Sequence, residues 1–110
     1  MSQVLRLTDR NFDQEVRQCK IPALVEFSAS WCLPSQLQKP LRKELAKGYS
    51  GRLSIGELNV DQNPQVAAKY KIMGCPTFIT FNSSKVLQHR VGAQSKKQLI
   101  ELIQSAINSH

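Results

Sequence analysis

The spacing of apolar positions changes several times along the chain, and each change marks an element. Gln3-Val4-Leu5-Arg6-Leu7 alternates polar and apolar side chains, as a strand does. Thr8 or Asp9 can cap a first helix that carries Phe12 and Val16 on one face. Ala23-Leu24-Val25-Glu26-Phe27 is an apolar run, the core of a buried central strand from Ile21 to Ala29. Leu37, Leu41 and Leu45 have helical spacing and place a second helix from Pro34 to Ala46. Pro40 lacks an N–H and crowds the preceding turn, so that helix is expected to kink. Gly48-Tyr49-Ser50-Gly51 is a turn cluster, followed by a strand from Leu53 to Val60. Asn63-Pro64 opens a short helix that ends near Lys71. Thr77-Phe78-Ile79-Thr80-Phe81 and Val86 to Val91 form a hairpin across Ser83-Ser84. A final helix from about Ser95 to Ile107 turns Leu99, Leu102, Ile103 and Ala106 inward.

The order βαβαβαββα needs crossover connections early and a hairpin late, hence an α/β fold: a mixed sheet with helices on both faces. With 110 residues, the chain 1–110 is expected to be one domain that buries a core without staples. No apolar stretch approaches the ~20 residues needed to cross a bilayer. Met1-Ser2-Gln3-Val4-Leu5-Arg6 lacks the pattern of a secretory signal, so a cytoplasmic location is expected.

Fifteen Lys and Arg against eight Asp and Glu give a formal charge of +7, which permits nucleic-acid or acidic-membrane binding. The basic residues are scattered, however, and Lys39, Arg42, Lys43 and Lys47 lie along one helical segment, the pattern of a solvated face. The expectation is therefore no nucleic acid and no membrane, with the charge steering acidic partner proteins.

Cys19, Cys32 and Cys75 are too far apart in sequence for a zinc pair, and three cysteines make no disulfide framework. No metal and no cofactor are expected. Cys32 is the candidate for chemistry. It stands between the buried strand and the second helix, where unpaired N–H groups and the helix dipole favour a thiolate. Pro34 suits the first helical turn. The alternative is a buried, inert cysteine.

Trp31-Cys32-Leu33-Pro34-Ser35 after an apolar strand, with Gly74-Cys75-Pro76-Thr77 far downstream, resembles the thioredoxin family. Phe27, Ala29, Asp61-Gln62-Asn63-Pro64, Tyr70 and Val91-Gly92-Ala93 extend the resemblance over nearly the whole chain. It implies a thioredoxin fold, a central five-stranded mixed sheet of order 3-1-2-4-5 flanked by four helices. It also implies a protein-disulfide reductase in which Cys32 attacks target disulfides and Pro76 is cis. Targets would dock on Trp31, Leu33, Pro34, Gly74, Cys75 and Gly92. Implied partners are disulfide-containing proteins and a thioredoxin reductase. The chain would act as a monomer, with a dimer disulfide-linked through Cys32 as an oxidised form.

Several positions depart from the family pattern. Its second active-site cysteine falls at position 35, where this chain has Ser35. A hydroxyl cannot resolve a mixed disulfide, although it can donate a hydrogen bond to the Cys32 thiolate. Ser35 should therefore trap mixed disulfides, whether as an engineered replacement or in a natural monothiol protein. Cys75 replaces a branched aliphatic residue, either as a packing substitute or as a second thiol able to resolve in place of position 35. Glu26 and Glu57 replace an Asp and a Lys; two carboxylates beneath the site would share a proton unless Glu57 swings to solvent. Leu33 and Gln36 stand where Gly and Lys are common. His89 and His110 have no partner pattern. Two other functions remain open: a non-catalytic binding module using the Trp31, Cys75-Pro76 and Gly92 surface, and a monothiol scaffold that holds a metal or cluster through Cys32 and Cys75.

Overall fold

All six residues of the central strand β2 (Ala23–Ser28) are buried, and the other elements are arranged around it. The computed structural model describes residues 3–109; His110 lies outside them. Strand β1 (Leu5–Leu7) is followed by one π-helical turn at Asp13–Arg17, then β2, α1 (Leu33–Leu37), α2 (Lys39–Gly48) and β3 (Ser54–Asn59). Helix α3 (Pro64–Lys69), the hairpin β4 (Thr77–Asn82) and β5 (Lys85–Val91), and α4 (Lys96–Ile107) complete the chain. Among the described residues, no helix is long and apolar enough to cross a membrane.

The sheet is mixed and runs β1-β3-β2-β4-β5. Strand β3 pairs in parallel with β1 and β2, while β4 pairs antiparallel with β2 and β5. This corrects the expected order 3-1-2-4-5: β1, not β3, takes the edge. Only one residue of the three-residue β1, Leu7, is buried. The six-residue β3 can match β2 along its whole length, from Ala23↔Ser54 to Ser28↔Asn59.

Alternation along β2 feeds two cores. Ala23, Val25 and Phe27 join Phe12, Leu58 and Phe81 on one face. Leu24 joins Leu45 of α2 and Leu99, Leu102 and Ile103 of α4 on the other. Glu26 follows Leu24 onto that second face, a carboxylate where the pattern calls for an apolar side chain.

The first helix is shorter than the pattern suggested, and its capping residues divide. Thr8 Oγ1 accepts from Asn11 N at 3.2 Å, whereas Asp9 accepts from Gln65 N at 3.2 Å and Val66 N at 2.9 Å, capping α3 instead. The expected kink is a full break at Gln38, with Pro40 in the first turn of α2. Pro40 has no N–H for the carbonyl of Gln36, so the ladder stops. It tightens to Gln38 N on Ser35 O at 3.1 Å and resumes with Arg42 N on Gln38 O at 3.0 Å. Across the break, the buried positions are Ser35, Gln38, Arg42, Leu45 and Ala46. Leu37 is 71% exposed.

Helix α4 starts with a reciprocal cap: Ser95 Oγ accepts from Gln98 N at 3.1 Å, and Gln98 Oε1 from Ser95 N at 2.8 Å. Replacing an N-cap serine by alanine typically costs about 1 kcal/mol. Ser95→Ala should lower the unfolding free energy in urea by that amount and leave the denaturant slope unchanged.

Candidate active site

Cys32 sits where β2 gives way to α1. Its N–H donates to Ala29 O at 3.1 Å, and its carbonyl accepts from Gln36 N at 3.1 Å, closing the first turn of the helix. The Gln36 side chain also reaches Ala29 O, at 2.8 Å, which fastens the helix start to the end of the strand. Only 4% of Cys32 is exposed, yet its neighbours Trp31 and Leu33 are 68% and 65% exposed. Trp31 is not loose: its indole N–H donates to Asp61 at 2.8 Å.

The residue facing Cys32 is Cys75. The two form a disulfide across 43 residues of sequence, with Cα atoms 6.3 Å apart. The Cys75–Pro76 peptide is cis. Behind it, Gly92 N donates to Pro76 O at 2.7 Å, with Gly92 at φ +98°, a conformation that glycine adopts without strain. Gly74 allows close approach: a Cβ there would lie 2.7 Å from Val91 Cγ1. Trp31, Leu33 and Pro34 flank Cys32 along the chain, while Gly74, Cys75 and Pro76 form the facing loop and Gly92 hydrogen-bonds to it.

Two neighbours of the expected residues complete the surface. Met73 is 95% exposed and Val91 is 64% exposed, each next to one of the two glycines. An exposed apolar residue beside Gly74 or Gly92 was the signal that could have named them.

Beneath the disulfide lies a buried charge network. Glu26 and Glu57 stand side by side in the β2–β3 register, as the sequence suggested. They do not confront each other bare, because Arg42 bridges them. Its Nη1 donates to Glu26 and, at 3.3 Å, to Ser35 O; its Nη2 donates to Glu57 at 3.0 Å. Arg42 is 3% exposed, which corrects its placement on a solvated helix face. Lys39, Lys43 and Lys47 do face water. Ser35 is fully buried, and its hydroxyl donates to Glu26 at 2.7 Å. The single hydroxyl proton is therefore committed downward and not to Cys32, as the sequence had allowed. Glu57 also accepts from Ser28 Oγ, at 3.0 Å, and opens on a cleft of about 670 Å³ lined by Arg6, Lys39 and Asn59 as well as Val4, Leu5 and Leu7.

Burial pushes the Glu26 pKa above its ordinary value of 4.5. Arg42 and the Ser35 hydrogen bond pull it back, and the charge of Glu57 adds a smaller upward push. Among the described residues, no group of three or more His, Cys, Asp and Glu side chains is placed to hold a metal ion.

Two outcomes follow from the network. Removing one partner of a buried ion pair strands the other charge, at about 3–5 kcal/mol. Arg42→Met should lose that much stability in urea, with Arg42→Lys recovering part of it. Because folded Glu26 keeps its proton at a pH where the unfolded chain has lost it, stability should fall as pH rises from about 4.5 through the raised pKa. Glu26→Gln should flatten that decline, as read from urea midpoints across the acid range.

Comparison with known proteins places the chain in a family. The family profile described as Thioredoxin matches residues 3–105. A thioredoxin of Buchnera aphidicola subsp. Acyrthosiphon pisum is 41% identical over 108 residues, covering 98% of this chain and 100% of that protein. A Pseudomonas aeruginosa thioredoxin is 36% identical over 104 residues, covering 94% of this chain and 96% of its own. Thioredoxin 1 of a Nostoc species is also 36% identical, over 94% of this chain and 97% of its own.

Proposed function

The chain belongs to the thioredoxin family, and from that premise we propose that it reduces protein disulfides with Cys32 as the attacking sulfur. Thiol–disulfide oxidoreduction is the chemistry of the family. The observation that carries the assignment to Cys32 is its place at the start of α1, already engaged in a disulfide and framed by exposed Trp31 and Leu33.

In the proposed step the Cys32 thiolate attacks one sulfur of a target disulfide. A Cys32–target S–S bond forms, the target's own S–S bond breaks, and the departing sulfur leaves as a thiolate that takes a proton from water. Ser35 has no sulfur and cannot break the mixed disulfide. Its work is structural, holding Glu26 beneath the site. A thiol at position 32 acting alone would therefore trap its target.

Docking uses the apolar rim of Trp31, Leu33, Met73 and Val91, with Pro34, Gly74, Cys75 and Gly92 leaving room for an extended target segment. The proposed partners are disulfide-containing proteins, with a thioredoxin reductase returning electrons, and the chain works as a monomer in the cytoplasm. The net charge of +7 steers acidic targets and makes association sensitive to salt.

Insulin reduction with dithiothreitol as the electron source tests the assignment. Cys32→Ala should bring turnover down to the background of dithiothreitol alone; a variant that retains activity would mean another nucleophile. Trp31→Ala should lower kcat/KM about tenfold, equivalent to ~1.4 kcal/mol of lost transition-state binding.

A further inference from the structure

We propose that Cys75 is the resolving thiol of this chain, so that Cys32 and Cys75 together form its redox couple. The inference rests on Cys32 being the attacking thiol and says how the mixed disulfide is released.

Three observations converge on Cys75. First, the two sulfurs are joined, and their Cα separation of 6.3 Å lies within the span that a bridge requires. Second, position 35, which lies one helical turn from Cys32, offers no alternative. Ser35 carries no sulfur, is fully buried, and gives its proton to Glu26 at 2.7 Å. Third, the remaining cysteine is at the wrong end of the sheet. Cys19 O accepts from Ser83 Oγ at 3.3 Å, in the turn between β4 and β5. Cys75 precedes the opposite end of β4, six residues of strand away, or roughly 20 Å.

The step balances without further groups. After Cys32 has formed its mixed disulfide, Cys75 loses its proton to water and its thiolate attacks Cys32 Sγ. The Cys32–Cys75 bond forms, the Cys32–target bond breaks, and the target sulfur leaves as a thiolate and is protonated. Over both steps, two protein thiols become one disulfide and one target disulfide becomes two thiols. An external dithiol then returns the two electrons. Cys75 is half-buried, so the residue borders solvent to which its proton can pass. The stalled mixed disulfide expected from Ser35 alone then belongs to a Cys75 variant and not to this chain.

Oxidised glutathione is a suitable probe, followed by intact-mass spectrometry of the reduced, desalted protein. The unaltered chain should release two glutathiones per protein, end as an internal Cys32–Cys75 disulfide by peptide mapping, and keep no adduct. Cys75→Ala and Cys75→Val should each stop with one glutathione on Cys32. Release from them should be at least about 100-fold slower, since an intramolecular attack has been replaced by one from solution. Two variants guard against a packing defect, with circular dichroism confirming that each is folded. If the unaltered chain holds its adduct as long as the Cys75 variants do, or if its disulfide maps elsewhere, Cys75 does not resolve, while Cys32 keeps its role. If Cys32→Ala takes up glutathione as fast as the unaltered chain, the attacking assignment fails and the proposal falls with it.

Discussion

The buried pair of Arg42 and Glu26 is the interaction on which the geometry of the site depends. Taking two such charges out of water costs several kcal/mol for each ion, and their attraction offsets this only if the remaining polar atoms also find partners. Here they do. Ser35 donates to the second oxygen of Glu26, the Ser35 carbonyl accepts from Arg42, and Glu57 takes the other arm of the guanidinium. Those groups come from β2, α1, α2 and β3. Satisfying one ion pair therefore locks both halves of a broken helix onto two adjacent strands. The start of α1, and with it Cys32, is held by that lock.

The break at Gln38 belongs to the same arrangement. Ser35 and Arg42, two turns apart, point inward on either side of it, while the break residue makes a second attachment. The Gln38 side chain donates to Gln94 O at 2.9 Å and accepts from Gln94 N at 3.0 Å. Gln94 lies two residues beyond Gly92, in the loop whose start carries the hydrogen bond to Pro76. Pro40 thus acts at a distance. By ending one helix and starting another, it joins the thiol-bearing helix to the loop that borders the facing thiol.

Much of this was legible in the chain, and the misreadings have physical causes. The apolar run of β2, the hairpin across Ser83-Ser84 and the inward stripe of α4 are regular patterns that the packing follows. Arg42 was misread because a charged residue among lysines looks solvated. The signal that places it inside is phase: at about 100° per residue Ser35, Gln38, Arg42 and Leu45 fall on one face of the helical segment, and Leu37 falls away from it. The exchange of β1 and β3 could not be seen along the chain, since which strand becomes the edge depends on lateral pairing. Asp9 looked like a cap for its own helix and caps α3, 56 residues away. The nearness of Cys32 and Cys75 was suggested only by the family fold, because nothing in a separation of 43 residues requires it.

The identities of positions 26, 35, 42 and 75 are consistent with one another in a way that none shows alone. Both oxygens of Glu26 are hydrogen-bonded, one by Arg42 and one by Ser35, and this clamp holds α1 and α2 against β2. A cysteine at position 35 would weaken that clamp, since a thiol donates a weaker hydrogen bond than a hydroxyl. With Cys75 as the resolving thiol, position 35 is free to carry the hydroxyl that the clamp favours. The serine at position 35 and the cysteine at position 75 are then two parts of one arrangement of the site.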